Sequence, residues 1–130
     1  MMKKHIEVVA AVIIKDDKYF CAQRKDEGEL AKKWEFPGGK VEIGETLKQS
    51  LIRELKEELK TDVEIREFIM TVNHEYETFK ITLHAFLCTL KTNDINLVEH
   101  LDSKWLNKEE LNTLDWAEAD IPIVEYLRTK

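Results

Sequence analysis

The sequence predicts an α/β fold, a mixed β-sheet sandwiched between two helices, and three stretches carry that expectation. Residues 6–14 form a nearly unbroken run of β-branched residues and alanine, the pattern of a strand covered on both faces and therefore central. Thr46 followed by Gln49 is a capping-box pair, so a helix opens at Leu47, with Leu47, Leu51, Leu55 and Leu59 as its buried stripe. Asp120-Ile121-Pro122 offers a cap and a first-turn proline for a last helix, which Ile121, Val124 and Leu127 would pack onto the sheet.

The other elements follow in chain order. Asp16 and Asp17 mark a turn, after which residues 19–24 return as a second strand ending at Arg24. Residues 26–33 are polar and read as a loop able to lie over a site. Trp34-Glu35-Phe36-Pro37 leads into glycines; proline cannot donate to a ladder, so the strand is expected to stop there and deliver Gly38. Residues 63–76 and 79–90 read as two strands of a hairpin joined near Glu77 and Thr78. In the second, Ile81, Leu83, Ala85 and Leu87 alternate with Thr82, His84 and Phe86, giving one core face and one partly wet face. Residues 92–97 suggest a loop and a short strand. Asn107 with Glu110 is a second capping-box-like pair, opening a short helix that Asn112 and Thr113 close.

Composition narrows the function. A chain of 130 residues suits one domain over its whole length, and its 43% apolar content is that of a globular protein. The net charge of -6 argues against a nucleic-acid polymer as partner, because binding a phosphate backbone needs a basic surface; a single nucleotide held through metal stays compatible. No apolar run reaches the length of a membrane span, and residues 1–5 make a poor secretory start, so a cytoplasmic protein without a membrane partner, monomer or homodimer, is expected. Cys21 and Cys88 lie in strand patterns and read as buried, inert thiols; His74 and His84 read as structural or surface residues.

The chemistry gathers in residues 38–58. Gly38, Gly39 and Gly44 are three of the four glycines in the chain, a clustering suited to close approach of backbone to a ligand. Glu54, Glu57 and Glu58 share one face of the helix after Thr46, where they repel one another unless a cation lies between them. Hard carboxylate oxygens beside an exposed carbonyl suit Mg2+, with Mn2+ as the second choice.

This stretch resembles the signature of the Nudix hydrolases: Gly, five residues, Glu, seven residues, then Arg-Glu-aliphatic-x-Glu-Glu-x-Gly-aliphatic. Gly39, Glu45, Arg53, Glu54, Leu55, Glu57 and Glu58 occupy their places, while Lys60 and Thr61 stand where the pattern has Gly and an aliphatic residue. Lys60 then either accepts a left-handed strain of about 1 kcal/mol or lets the helix end differently. Residues 6–11, 34–45, 81–84 and 114–127, with Glu99 and Trp105, resemble the MutT-like branch, which includes CTP pyrophosphohydrolases and 8-oxo-dGTP diphosphatases. That resemblance implies a Nudix-fold α/β/α sandwich and Mg-dependent hydrolysis of a nucleoside triphosphate to monophosphate and pyrophosphate.

By position, the resemblance implies metal binding by Glu54, Glu57, Glu58 and the Gly38 carbonyl, with Glu99 as an additional ligand or base. Arg53 would orient carboxylates, and Glu45 would be a structural or outer partner. Arg24, an exposed strand-end charge on general grounds, becomes a phosphate clamp, and Gly38, Gly39 and Lys40 line the substrate. Phe36 backbone groups would touch the base and Asp120 would read it, while Trp34 and Tyr76 either stack on it or belong to the core. An ionised Asp only accepts hydrogen bonds, which favours cytosine N4 and hence CTP, dCTP or 5-methyl derivatives; a protonated Asp would suit an oxidised guanine. Hydrolysis of another nucleoside diphosphate derivative and nucleotide sensing without catalysis are the competing expectations.

Overall fold

The structure is a computed structural model that describes residues 3–130; the first two residues of the stretch read above as a poor secretory start lie outside the described residues. At its centre is β1 (Lys4–Lys15), whose residues 9–13 are all buried. Successive side chains of a strand point to opposite faces, and here each face meets a different helix. Val9, Ala11 and Ile13 pack with Leu51, Leu55 and Leu59 of α1 (Leu47–Leu59). Ala10 and Val12 share a second core with Ile123, Val124 and Leu127 of α2 (Ile121–Arg128). That two-sided burial is why the run has no polar alternation. Each fully buried Leu of α1 is worth about 1.5–3 kcal/mol relative to exposure.

Along one edge β1 pairs in parallel with β6 (Phe79–Leu90), which forms an antiparallel hairpin with β5 (Val63–Glu75). The other edge is divided. Val8–Ala10 pair with β4 (Gly38–Lys40), whereas Ile14 and Lys15 pair with β2 (Lys18–Gln23) across a turn in which Asp16 and Asp17 adopt φ of 52° and 61°. β2 carries β3 (Trp34–Glu35) on one side and β7 (Asp102–Leu106) on the other. The result is a mixed sheet between two helices.

Several local expectations change. The chain does not leave the sheet at Pro37: it resumes pairing at once as β4, with Gly38 flat against β1 and Gly39 under Glu54 of α1, where a side chain has no room. Residues 92–97 contain no strand, and β7 further on was not anticipated, since its polar edge sequence shows no apolar alternation. Phe86 is buried under α1 instead of lying on a wet face. Ile123 replaces Ile121 in the packing of α2, and Ile121 is exposed. Asn107 and Glu110 do exchange reciprocal bonds, at 3.1 and 3.0 Å, yet they open only a turn and one 3-10 turn at Leu111–Thr113. Cys21 and Cys88 are free and buried, and burial pushes both thiols up to about 12. Among the described residues no helix is long and apolar enough to cross a membrane.

Candidate active site

The site is built outward from α1. Thr46 accepts from the Gln49 amide at 3.1 Å and Gln49 returns a bond to the Thr46 amide at 2.9 Å, so the helix begins in a fixed direction. One turn further on, Arg53 becomes a hub. Its Nε and Nη2 donate to the two oxygens of Glu45 at 2.6 and 2.9 Å, Nη1 reaches Glu54 at 2.8 Å and Glu57 at 3.3 Å, and Nη2 also donates to the Lys40 carbonyl at 3.0 Å. The Arg53 guanidinium holds Glu45 down to about 2, so this carboxylate stays ionised. The guanidinium thus ties helix, acidic loop and β4 together, with all three of its nitrogens donating.

Gly38 and Gly39 set the backbone against this helix. A Cβ on Gly38 would overlap the backbone carbonyl of Val9, and one on Gly39 would overlap the Glu54 carboxyl group. Only glycine lets β4 lie between β1 and the acidic face.

Glu58, next to Glu57 on α1, lies near Arg24 and Glu35. Its Oε2 is buried and has no hydrogen-bond partner. Burial, and then the charges of Glu35, Glu54 and Glu99, push its carboxyl up to about 8, opposed by Arg24. The loop after β6 supplies Glu99: the Asn96 and Val98 amides donate to the carbonyls of Leu59 and Glu58 at 2.8 and 3.1 Å, which pins the loop to the end of α1. Among the described residues no three His, Cys, Asp or Glu side chains converge closely enough to enclose an ion, and Arg53 draws Glu54 and Glu57 toward itself. The donor chemistry nevertheless fits a hard divalent cation. A buried orphan carboxylate oxygen amid three further carboxylates is a concentration of negative charge with one arginine against it.

Two residues without a motif complete this corner. Glu35 accepts from Arg24 Nη1 at 2.9 Å and lies 3.0 Å from His100 Nε2, and the His100 side chain is only 5% exposed. Arg24 Nε is buried without a partner, an unused donor beside the carboxylates. Neither Glu35 nor His100 was singled out from sequence. The available signals were slight: Glu35 sits in the dipeptide before Phe36-Pro37, and His100 follows Glu99 directly.

A cavity of about 470 Å³ runs from the acidic corner to the base of α2. Its wall includes Arg24, Gly38, Gly39, Lys40, Glu54, Glu57 and Glu58 together with Ile6, Val8, Phe36, Tyr76, Ile81 and Asp120. Glu99 instead lines a neighbouring cavity of about 260 Å³ that shares Arg24, Glu35 and Glu58. Asp120 is 4% exposed, and its side chain makes no cap for α2. Its Oδ1 accepts from the Phe36 amide at 3.0 Å instead. Burial, reinforced by Glu35, raises its carboxyl well above the ordinary carboxylate range. Trp34 is a core residue outside the cavity, whereas the buried Tyr76 is part of its wall.

The geometry places the acidic, glycine-backed corner and the buried Asp120 on one open cavity of mixed polar and apolar lining. The NUDIX domain model matches residues 8–126. The chain is 39% identical over 122 residues to a CTP pyrophosphohydrolase of Escherichia coli (strain K12), covering 94% of this chain and 90% of that protein. It is 42% identical over 96 residues to an 8-oxo-dGTP diphosphatase of Proteus vulgaris, covering 73% and 86% respectively. It also resembles the solution NMR structure of MutT, a family Nudix hydrolase from methicillin-resistant Staphylococcus aureus 252, with 46% identity, 98% coverage of both chains and a TM-score of 0.80. Since the family model spans nearly the whole chain and the relatives carry it at this identity, the chain belongs to the NUDIX domain family and is a Nudix hydrolase.

Proposed function

We propose that the protein, as a single domain over residues 1–130, is a magnesium-dependent nucleoside triphosphate pyrophosphohydrolase with a preference for cytosine nucleotides. The observation that carries the reading is a single cavity lined both by Glu58, whose oxygen is buried and unpartnered, and by the buried carboxyl of Asp120. Phosphates would then lie against the acidic residues and a base against Asp120. In this reading Glu54, Glu57, Glu58 and the Gly38 carbonyl, with Glu99 from the adjoining loop, hold Mg2+ or Mn2+. The cation would neutralise phosphate charge and make bound water more acidic.

The chain's own residues do the rest. Arg24 swings its free Nε and its Nη groups to phosphate oxygens, with Glu35 fixing the plane of its guanidinium. Arg53 keeps Glu54 and Glu57 in orientation through Glu45, and Lys40 adds charge at the rim. Water attacks a phosphorus of the triphosphate, the bond to the bridging oxygen breaks, and monophosphate and pyrophosphate leave. Positioning and charge neutralisation supply most of the acceleration in such a step.

Asp120, with one oxygen committed to Phe36, offers the other to an exocyclic amino group. The relative named a CTP pyrophosphohydrolase supports this choice. A second reading, 8-oxo-dGTP, is favoured by the elevated Asp120 carboxyl, because a neutral acid donates as well as accepts. The relative named an 8-oxo-dGTP diphosphatase points the same way. The intact acidic set argues against a non-catalytic sensor. Pyrophosphate release with magnesium from CTP, dCTP, 5-methyl-dCTP, UTP, dGTP and 8-oxo-dGTP decides between the readings: the cytosine set is expected to lead. Leadership by 8-oxo-dGTP would transfer the assignment to oxidised guanine, and no release from any triphosphate would overturn it.

A further inference from the structure

The cavity wall contains a hydrogen-bond donor that the acidic chemistry leaves unused. The Tyr76 ring is 6% exposed and is held between His74, at 4.5 Å between centroids, and Phe79, at 4.9 Å. Its hydroxyl oxygen accepts from the Ala119 amide at 2.8 Å. A phenol carries one hydrogen, and with the oxygen already accepting, that hydrogen still requires an acceptor. None of the bonds among the described residues supplies one. Burial above all, with the charges of Asp120 and Glu118 adding to it, pushes the phenol up to about 12, so it stays a neutral donor throughout the working pH range.

The next residue along the chain is Asp120, whose Oδ1 is taken by the Phe36 amide and whose other oxygen has no partner among these bonds. Ala119 and Asp120 belong to one 3-10 turn, Glu118–Asp120. One turn therefore anchors a donor, on Tyr76, and carries an acceptor, on Asp120, and both residues line the same cavity. Cytosine presents the complementary pair, an amino donor at N4 next to an acceptor at N3. Uracil inverts both positions, with an acceptor at O4 and a donor at N3.

We propose that Tyr76 is a second base-reading residue, whose hydroxyl donates to N3 of a cytosine while Asp120 accepts from its N4 amino group. This rests on the cytosine reading above and adds the residue that rejects uracil at a second position. The bland alternative is that Tyr76 only satisfies the buried Ala119 amide and props the turn. The two differ in what they make of a single ring atom.

The test compares CTP with 3-deaza-CTP, in which N3 is replaced by C–H while the amino group is kept, in the wild type and in Tyr76→Phe. A site built to bond a polar atom discriminates against the analogue that lacks it, so the wild type is expected to favour CTP by about tenfold in kcat/KM. In Tyr76→Phe, whose folding is checked by thermal melting, the two substrates should be hydrolysed at nearly equal kcat/KM, with a residual preference for CTP over UTP through Asp120. Equal losses on both substrates, leaving their ratio at the wild-type value, would reduce Tyr76 to a prop and overturn the proposal. Equal rates on the two substrates in the wild type would overturn it without any variant. Wild-type enzyme that does not prefer CTP to UTP would remove the cytosine reading itself, an outcome distinct from a CTP preference that is indifferent to N3.

Discussion

Asp120 stands at the head of α2 with its side chain buried in the protein. Its place before Ile121-Pro122 suggests a helix cap, but the side chain turns inward to the Phe36 amide and leaves α2 without a side-chain cap bond. The price is an elevated carboxyl pKa. A folded-state value above the unfolded one means that folding favours the protonated acid. The residue therefore costs stability progressively as pH rises from the ordinary carboxylate range to the raised folded value. Asp120→Asn is expected to melt higher than the wild type at pH 8, with the difference shrinking as pH falls towards 4, and to lose preference for cytosine over uracil nucleotides. A melting difference that grows on acidification would contradict the assignment. Helical spacing alone brings Glu54, Glu57 and Glu58 to one face of α1, whereas Gly39, Glu45 and Arg53 were legible only through the resemblance to the family signature. Glu35, His100 and the hydroxyl of Tyr76 were not legible, because each acquires its partner from a segment distant in sequence.

At the level of elements, the two capping boxes show what a local signal does and does not determine. Thr46 with Gln49 opens a helix of 13 residues because an apolar stripe follows it; Asn107 with Glu110 has the same bonds and no such stripe, so the backbone closes after a 3-10 turn. The end of α1 answers the question raised by Lys60, which takes the left-handed conformation at φ 52°. Thr61 behind it is 3% exposed and its hydroxyl has no partner. Lys60→Gly should stabilise the protein by about 1 kcal/mol and raise its melting temperature by a few degrees. Thr61→Val, which keeps the shape and removes an unsatisfied polar atom, should add about as much. Unchanged or lower melting points would show that the helix end is relaxed as it stands. Strand β7 escaped sequence reading for a reason of the same kind: its register is set wholly by β2, from Tyr19 opposite Leu106 to Gln23 opposite Asp102.

In the molecule as a whole, the site follows from the divided edge of β1. Where β4 hands that edge over to β2, the glycine backbone, the acidic face of α1 and the Arg24–Glu35 pair are brought to one place. The two helices and the central strand were legible because burial on both faces and helical periodicity leave marks in the sequence. The hand-over was not, because strand pairing is decided between segments that carry no mark of each other. The acidic net charge of -6 gives a triphosphate no general attraction, so recognition falls to the local groups of the cavity. In the proposed reaction Glu58 and the carboxylates around it work with a divalent cation on a nucleoside triphosphate. The most direct test is product analysis of CTP incubated with wild type and with folded Glu58→Gln, with and without magnesium. CMP and pyrophosphate formed by the wild type only with magnesium, and at least about 100-fold more slowly by the variant, is the predicted result. Release of orthophosphate, or turnover that survives either the substitution or removal of the metal, would contradict the account.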